Sequence, residues 1–563
     1  MRATGVRRSG GAAAAPALPQ QRAAAGLLAA LQLLAVPGAP AVALPHPLQL
    51  QDQQQQAQQP QAQQRQARPQ QRPAPELDIS GPGGLPAIYR RLPPLPATFP
   101  PLPRLAQPAI VSRALANGLK VFLVVDREVP LTRGSLLIPG GQASSPAGKV
   151  GLASIAAALQ RAGGSVDHPA EALDARLEDL AAAIEASAGQ QSTTLDFQCM
   201  TRDAPELLRL LSELLREPAL PPDKLALLQG QVSNVIRHRD DSAAGVARRE
   251  LAKLIYGADS IYARTPTLRG VAGLTRDDVA AHIAAWQRPD AAVLGLVGDF
   301  DPEEMMAAVE QALGGWAPAP GQPAQPRARP REELRDLPAV LSAAQAAAAP
   351  PQGAAAAPQL VRLVDRPGAG QAAVFAGERG VSLGDPDVYA LDVLASRLNG
   401  FGGLVFDTLR TRKGLAYSVQ ASWDSPVDHR GLFVAAAETA QPARFVQELA
   451  RVLAEARSAP PSRAELARAK AGLLQTVVFN FASTETQLQR ALVYELLGLP
   501  QDFLFTYRDR VEAVTADDVA AAAARHLHPA QQVVVVVGDA GALRPQLEAA
   551  GFRVEALRPE PAD

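Results

Sequence analysis

Two segments of this chain, 240 residues apart, align to each other without a gap. Residues 271–299 read VAGLTRDDVAAHIAAWQRPDAAVLGLVGD, residues 511–539 read VEAVTADDVAAAAARHLHPAQQVVVVVGD, and thirteen of the 29 positions are identical. Solenoid repeats recur at periods of up to about 50 residues, so this much longer spacing indicates a duplicated domain. The chain is therefore expected to fold as two copies of one domain.

Each copy of the repeated segment is typical of a helix followed by a strand. Thr275 and Thr515 are placed to cap the helix, and an Asp-Asp pair follows in its first turn, where the helix dipole favours negative charge. Pro289 and Pro529 then lead into the apolar runs VLGLVGD and VVVVVGD, which are typical of buried strands.

The rest of the first copy mixes strand and helix patterns. It begins with a turn at Asn117-Gly118 and the β-rich run LKVFLVVD, and the run RGSLLIPGG follows. A further strand, QQSTTLDFQC, alternates polar and apolar residues. Apolar periodicity predicts helices at about residues 147–162, 170–187, 204–216 and 221–239. We therefore expect an α+β fold with two lobes, each a sheet with helices on one face.

The N-terminus has the features of an export signal. Three arginines within the first eight residues precede an apolar stretch at residues 23–36, and an AVA sequence ends at Ala43. The apolar stretch is too short to cross a bilayer comfortably. We expect residues 1–43 to be a signal peptide and the protein to be exported to the periplasm; the alternative is a disordered Ala-rich tail.

Composition divides the remaining chain into units. Residues 44–104 are rich in Gln and Pro and lack the apolar surface that folding needs, so this segment is expected to be disordered. A second stretch rich in Pro and Ala, at residues 317–358, is expected to be a linker. The two folded copies then occupy residues 105–316 and 359–550.

Charge and composition exclude several classes of function. The 55 basic and 56 acidic residues leave a net charge of −1, which provides no electrostatic basis for binding nucleic acid or an anionic membrane. Cys199 is the single cysteine, so this chain can form neither an intrachain disulfide nor a Cys₄ or Cys₂His₂ zinc site. His526 and His528 lie at a predicted helix end, where the helix dipole favours histidine without any metal. No transmembrane segment is expected.

The order of these elements resembles the pitrilysin-type (M16) metallopeptidases, of the M16B kind, over residues of about 105 to 545. The segments that carry the resemblance are ANGLKVFLVVD, GLTRDDVAAHIAAWQRPDAAVLGLVGDFD, VRLVDRPGAGQAAVFAGERG, DPDVYALDVLASRLNGFGGLVFDTLRTRKGLAYSV, ELARAKAGLL and VTADDVAAAAARHLHPAQQVVVVVGDA. The resemblance implies two homologous lobes of the LuxS/MPP-like type, each with a mainly antiparallel sheet.

The zinc motif of that family is missing here. Active members carry H-x-x-E-H on a helix and a further glutamate about 75 residues later. The resemblance places the three motif positions on Ser154, Ala157 and Ala158, and the later ligand near Asn234 or Val235. None of these side chains can replace the ligands or the general base, so we expect no zinc and no catalytic residue in this chain.

A second feature of the family is present. Active members use an Arg and a Tyr, seven residues apart, from the companion domain, and these resemble Arg410 and Tyr417 in LRTRKGLAYSV. The Arg can anchor a substrate carbonyl or terminus, and the Tyr hydroxyl can donate to a developing oxyanion. Without the resemblance, Arg410 would be read as a surface residue and Tyr417 as a core aromatic.

The combination implies the non-catalytic, substrate-binding subunit of a heterodimeric peptidase. Zinc is then expected in the partner subunit, and the substrate is a peptide or unfolded segment bound as an added strand. One alternative is an M16-like scaffold or binding protein without a peptidase partner. Another is a self-sufficient hydrolase, for which no Ser/His/Asp spacing or G-x-S-x-G motif is found.

The export hypothesis predicts a mature chain that begins near Leu44. Cleavage after Ala43 removes the apolar stretch, so intact-mass spectrometry of protein from the native cell should yield the mass of residues 44–563. Recovery of a full-length chain beginning at Met1 or Arg2 from the cytoplasmic fraction would contradict the hypothesis.

Overall fold

A computed structural model describes residues 109–334, 359–400, 402–477 and 483–560. The expected signal peptide, the Gln-rich segment and residues 335–358 of the expected linker lie outside these ranges. Among the described helices, none combines the length and the apolar character that crossing a membrane requires.

The first half of the chain forms one six-stranded sheet with its helices. Its strands are β1 (Ile110–Ala114), β2 (Lys120–Val125), β3 (Leu131–Pro139), β4 (Ala183–Ala188), β5 (Ser192–Met200) and β6 (Val293–Gly298). Its helices are α1 (Leu152–Gly163), α2 (Ala170–Asp179), α3 (Ala204–Arg216), α4 (Pro222–His238), α5 (Ala243–Tyr256), α6 (Leu268–Ala272), α7 (Arg276–Trp286) and α8 (Pro302–Leu313).

The second half forms another six-stranded sheet. Its strands are β7 (Leu360–Asp365), β8 (Ala372–Arg379), β9 (Val419–Trp423), β10 (Leu432–Thr439), β11 (Val533–Gly538) and β12 (Arg553–Ala556). Its α-helices are α9 (Val388–Leu398), α10 (Pro442–Ser458), α11 (Arg463–Val477), α12 (Thr484–Leu497), α13 (Phe503–Ala513), α14 (Ala516–His526) and α15 (Ala540–Ala549), and a π-helical segment spans Phe406–Arg412.

The two sheets share the topology of five of their six strands. Their strand orders are β1-β2-β6-β3-β5-β4 and β12-β7-β11-β8-β10-β9. The repeated strand is third in each, parallel to one neighbour (β2 or β7) and antiparallel to the other (β3 or β8). The α+β prediction of two equivalent, mainly antiparallel lobes is therefore confirmed. The first strand in each order differs, because β1 is antiparallel to β2 whereas β12 is parallel to β7.

The repeated segment has the same local geometry in both halves. The Thr275 hydroxyl accepts from the Asp278 backbone N–H at 3.2 Å, and the Asp278 carboxylate accepts from the Thr275 N–H at 3.0 Å. Thr515 and Asp518 form the same reciprocal pair. Each pair satisfies donors that a helix N-terminus otherwise leaves unpaired. The matched prolines begin short 3₁₀ turns and the matched glycines end strands: Pro289, Pro529, Gly298 and Gly538.

One predicted helix is wrong in its second part. The expected helix at residues 170–187 ends at Asp179, and β4 occupies residues 183–188 instead. Ala181 has a φ of 48°, which breaks the helix after α2. The sequence AIEASA favours a helix through its alanines, but pairing with β5 along its whole length makes it a strand.

Each sheet has one face covered by helices of its own half and the other face covered by a helix from the opposite half. Leu488 and Leu492 of α12 pack on an apolar face of the first sheet, and Val246 and Leu251 of α5 pack on the second. The sheet residues under α12 are Phe122, Val124, Leu137, Val293 and Val297. Those under α5 are Val364, Ala373, Phe375, Ala436, Val533, Val535 and Val537. We call this arrangement the helix exchange.

The described C-terminal tail joins the same interface. The buried Lys253 ammonium on α5 lies 2.7 Å from the Glu560 carboxylate, and the Leu557 N–H donates to the Leu363 carbonyl at 2.8 Å. Arg249, also buried on α5, forms ion pairs with Asp240 at 2.6 Å and with its neighbour on the helix. The positive charge of Lys253, in the first half, is thus neutralised partly by Glu560 of the described C-terminal tail.

The helix exchange predicts that the two halves unfold together. Leu492→Ala removes a fully buried side chain that covers Gly295 and should lower the free energy of unfolding by about 2–5 kcal/mol. Urea unfolding should show one transition, identical by circular dichroism and tryptophan fluorescence. Leu227→Ala, at a position 55% exposed, is the control and should change stability by less than about 0.5 kcal/mol. Two separate transitions, only one of them shifted by Leu492→Ala, would contradict the coupling.

Candidate functional site

The segment from Phe406 to Tyr417 presents an aromatic side chain to solvent. Its first part is the π-helical turn Phe406–Arg412, a geometry that occurs often at functional sites. Gly414 then takes a φ of 59°, and Leu415 and Ala416 are buried on the way to β9. The next side chain, Tyr417, is 82% exposed. The core therefore fixes the backbone on both sides of an exposed tyrosine.

Arg410 and Tyr417 are brought together by this turn. The guanidinium carbon of Arg410 lies 4.7 Å from the centre of the Tyr417 ring and 4.7 Å from the centre of the Phe406 ring. Such cation–π contacts are worth about 0.5–1 kcal/mol each at exposed sites. Arg412 is exposed, and the Lys413 ammonium forms an ion pair with Glu448. Phe406 has no counterpart in the predicted site.

The three positions matched to the zinc motif lie on α1. The Ser154 hydroxyl accepts a hydrogen bond from the Gln142 amide, and Ala157 belongs to the core beneath the first sheet. Ala158 is half-buried and packs against the neighbouring helices. These positions are therefore occupied by small side chains in helix packing or in a local hydrogen bond.

The two candidates for the later ligand lie on α4, which packs beside α1. Leu225, Val232 and Ile236 of α4 share a core with residues of α1. Asn234 is exposed and Val235 is half-buried. Neither carries a carboxylate, so the helix pair brings no acidic ligand to the positions that the resemblance indicates.

A strand edge that no other described strand pairs with lies next to α1. β4 is the last strand in the order of the first sheet, and α1 packs against it. Ile184 and Ala186 point toward the core, whereas Glu185 points to the opposite face, where burial raises the pKa of its carboxyl. The sequence pattern did not predict this edge, because residues 183–188 were expected to be helical. The in–out alternation of IEASA was the available signal.

Comparison with known proteins identifies the family. A family model described as the peptidase M16 inactive domain matches residues 273–473, from the end of the first half into α11. This matched part of the chain is an M16 peptidase domain. No curated protein sequence matches it.

Solved structures share the M16 fold of this chain. A peptidase M16 inactive domain from Pseudomonas fluorescens is 21% identical, with 76% of this chain and 98% of that chain covered and a TM-score of 0.63. A protease from Helicobacter pylori is 18% identical, with 77% and 100% covered and a TM-score of 0.63. A conserved protein from Enterococcus faecalis V583 is 14% identical, with 76% and 98% covered and a TM-score of 0.60. At these identities, the likeness shows the fold.

The histidines in the described part of the chain have protein partners. His168 lies 2.7 Å from Glu213, and His282 is buried, which lowers its pKa to about 4. His526, at the end of α14, lies 2.8 Å from Asp387. Asp385, Asp387 and His526 lie close enough together to hold a metal ion. However, the Arg525 guanidinium already binds both oxygens of Asp387, at 2.6 and 2.7 Å. The Arg525 guanidinium therefore already neutralises the negative charge of Asp387 that a metal ion would need.

A polar junction, which the sequence did not predict, joins the two halves of this M16 chain. The Tyr262 ring stacks on His429 with 3.6 Å between centres, and His429 lies 3.0 Å from Asp428. Gln191, in the β4–β5 hairpin, donates to Asp428. Asp424, just after β9, is nearby, and burial together with the negative charge of Asp428 raises its pKa to about 7.

The raised pKa of Asp424 predicts a pH-dependent stability. A carboxyl whose folded pKa exceeds its ordinary value of 3.8 binds its proton more tightly in the folded state, so stability falls as pH rises from about 4 through about 7. Asp424→Asn should therefore raise the free energy of unfolding by about 1–4 kcal/mol at pH 8 and by clearly less at pH 5, measured by urea unfolding. Asp259→Asn, at an exposed position, serves as the control. An equal effect of Asp424→Asn at both pH values would contradict the assignment.

Proposed function

We propose that this chain is the non-catalytic, substrate-positioning subunit of a heterodimeric M16-type zinc peptidase that acts on peptides or unfolded segments. The observation that carries the proposal is Tyr417, which is 82% exposed, follows directly on the buried Leu415 and Ala416, and lies beside Arg410. A tyrosine that served only packing would be buried. An exposed one fixed against an arginine is available to a ligand.

The chemistry follows from the two side chains. The Arg410 guanidinium can hold a carbonyl or a chain terminus by charge-assisted hydrogen bonds, and the Tyr417 hydroxyl can donate to the oxyanion that forms when a peptide bond is attacked. The attacking water needs a metal and a base that Ser154, Ala157 and Ala158 cannot supply. In this proposal, a zinc-bearing M16 subunit supplies both.

The β4 edge supports a peptide as the substrate. Its outer N–H and C=O groups are not paired by another strand of the described sheet, so an extended peptide can add to it as a seventh strand. Main-chain hydrogen bonds at such an edge recognise extended conformation more than sequence. The enzyme is therefore expected to accept many sequences, provided that the segment is unfolded.

An inert scaffold is the second candidate. The match to the M16 inactive domain suits a chain that has lost catalysis, and such a scaffold needs no peptidase partner. The two proposals share the expectation of export to the periplasm. They differ in what Arg410 and Tyr417 do.

The proposal predicts partner-dependent cleavage. The purified chain alone should contain no stoichiometric zinc and cleave no peptide, and Ser154→His should not change this, because the other ligand positions remain unsuitable. Copurification from the native cell should recover a subunit with an intact H-x-x-E-H motif. In that complex, Tyr417→Phe should lower kcat by about 10²–10³, the usual cost of losing one transition-state donor.

Arg412→Ala is the matched control, since Arg412 is exposed and lies on the same π-helical segment, while the cation–π contacts described there belong to Arg410. Its kcat should equal that of the unmodified complex. Chelator-sensitive cleavage by the purified chain alone would overturn the non-catalytic assignment. An active complex in which Arg410→Ala and Tyr417→Phe change nothing would favour the scaffold.

A further inference from the structure

The outward main-chain groups of β4 belong to every second residue of the strand. The Gly189 N–H, just beyond the strand, donates to the Ser192 carbonyl at 2.8 Å and therefore points toward β5. In an antiparallel pair, the main-chain groups of successive residues point alternately toward the partner strand and away from it. Ile184, Ala186 and Ala188 therefore direct their N–H and C=O groups toward the side of β4 that no described strand occupies.

The two ends of this row are already covered. At the start of β4, the Nε–H of Arg161 donates to the Ile184 carbonyl at 2.5 Å, and Ile184 is fully buried. At the other end, Ala188 is only 3% exposed, and the Gln142 N–H donates to the carbonyl of the adjacent Gly189 at 2.8 Å. An added strand therefore meets groups of this chain at both ends of the edge.

The central position, Ala186, is left open. Within the described ranges, neither a strand nor a side chain bonds to its outward N–H or C=O. The last strand of the second sheet, β9, is treated differently. There the Asn399 side-chain amide accepts from the Ala421 N–H at 2.8 Å and donates to the Ala421 carbonyl. This amide takes the place of a peptide group of an added strand, so β9 is closed at its middle and β4 is not.

Arg161 is held in its position over the edge. It lies on α1, one turn beyond Ala157 and Ala158, and its guanidinium forms an ion pair with Asp174 of α2 at 2.9 Å. Its side chain is 20% exposed. A hydrogen bond from a guanidinium to a carbonyl is stronger than the neutral bond that a peptide N–H can offer in its place. A peptide therefore does not readily displace Arg161 from Ile184.

We propose that Arg161 is a specificity-determining residue, which ends the peptide-binding edge at Ile184. The bound segment pairs with Ala186 and then turns away from β4, so the edge recognises a short extended stretch and not a long strand. This inference rests on the proposed binding of a peptide as an added strand. It deepens that proposal by stating how much of the edge a substrate uses and which side chain sets the limit.

Two probes measure how far an added strand extends. Both are fluorescein-labelled decapeptides with a C-terminal amide: an unbroken probe of Ala and Thr throughout, and a proline-flanked probe in which proline replaces every residue outside a central Ala-Thr-Ala stretch. Proline lacks the N–H that strand pairing needs, so the second probe can pair over its central stretch only. Fluorescence anisotropy with the full chain should show the two probes binding with similar affinity.

Removal of Arg161 should lengthen the usable edge. Arg161→Ala frees the Ile184 carbonyl, so the unbroken probe should bind roughly 10-fold more tightly, the effect of an added pair of main-chain hydrogen bonds, while the affinity of the proline-flanked probe stays the same. Arg161→Lys keeps a donor and should behave as the unmodified chain. Asp174→Ala releases the guanidinium and should give a smaller gain of the same kind. Arg202→Ala, at a position 80% exposed, is the control for the lost charge and should change neither affinity.

The selective gain for the unbroken probe is the decisive result. An equal change for both probes in Arg161→Ala, or no change, would overturn the role of Arg161. So would a strong preference of the unmodified chain for the unbroken probe, because the edge would then already be long. In these cases peptide binding at β4 would stand. No binding of either probe by any of these chains would overturn strand addition at β4 and this inference with it. The effect of Tyr417→Phe on kcat is measured in the complex, so the positioning function is tested separately.

Discussion

The reciprocal burial of one sheet face by a helix from the opposite half is the interaction on which the rest of the structure depends. A six-stranded sheet with helices on one face only would expose the apolar side chains of its other face. The helix exchange covers both sheets with segments that lie far away in sequence, Leu488 and Leu492 for the first and Val246 and Leu251 for the second. Burial of apolar surface contributes about 25 cal/mol per Å², so the two covering helices add strongly to the free energy of unfolding.

The same interaction positions the candidate site. Arg410 and Tyr417 belong to the second half, whereas α1 and the β4 edge belong to the first. The helix exchange and the polar junction at Asp428 keep the halves in contact, and Gln191 ties the β4–β5 hairpin directly to the second half. The edge proposed to bind a peptide is therefore held in place by the half that carries the proposed peptide contacts.

Local signals in the sequence predicted local structure well. The capping geometry at Thr275 and Thr515, the duplication and the α+β fold follow from spacing and residue type. Non-local features were missed. The alanines of residues 183–188 favour a helix until β5 pairs with them. An amphipathic pattern also cannot indicate which of two sheets a helix covers, and nothing in the sequence placed Phe406 against Arg410 or gathered Asp424, Asp428 and His429.

The helix exchange has a consequence for synthesis on the ribosome. The last strand of the first sheet ends at Gly298, but α12, which covers the second face of that sheet, ends at Leu497, 199 residues later. At about 5–20 residues per second, that interval lasts about 10–40 s, during which the apolar face with Phe122 and Val297 lacks its native partner. A nascent chain of this kind is a natural client for chaperones, and slowing translation between these two points would lengthen the period in which it can aggregate.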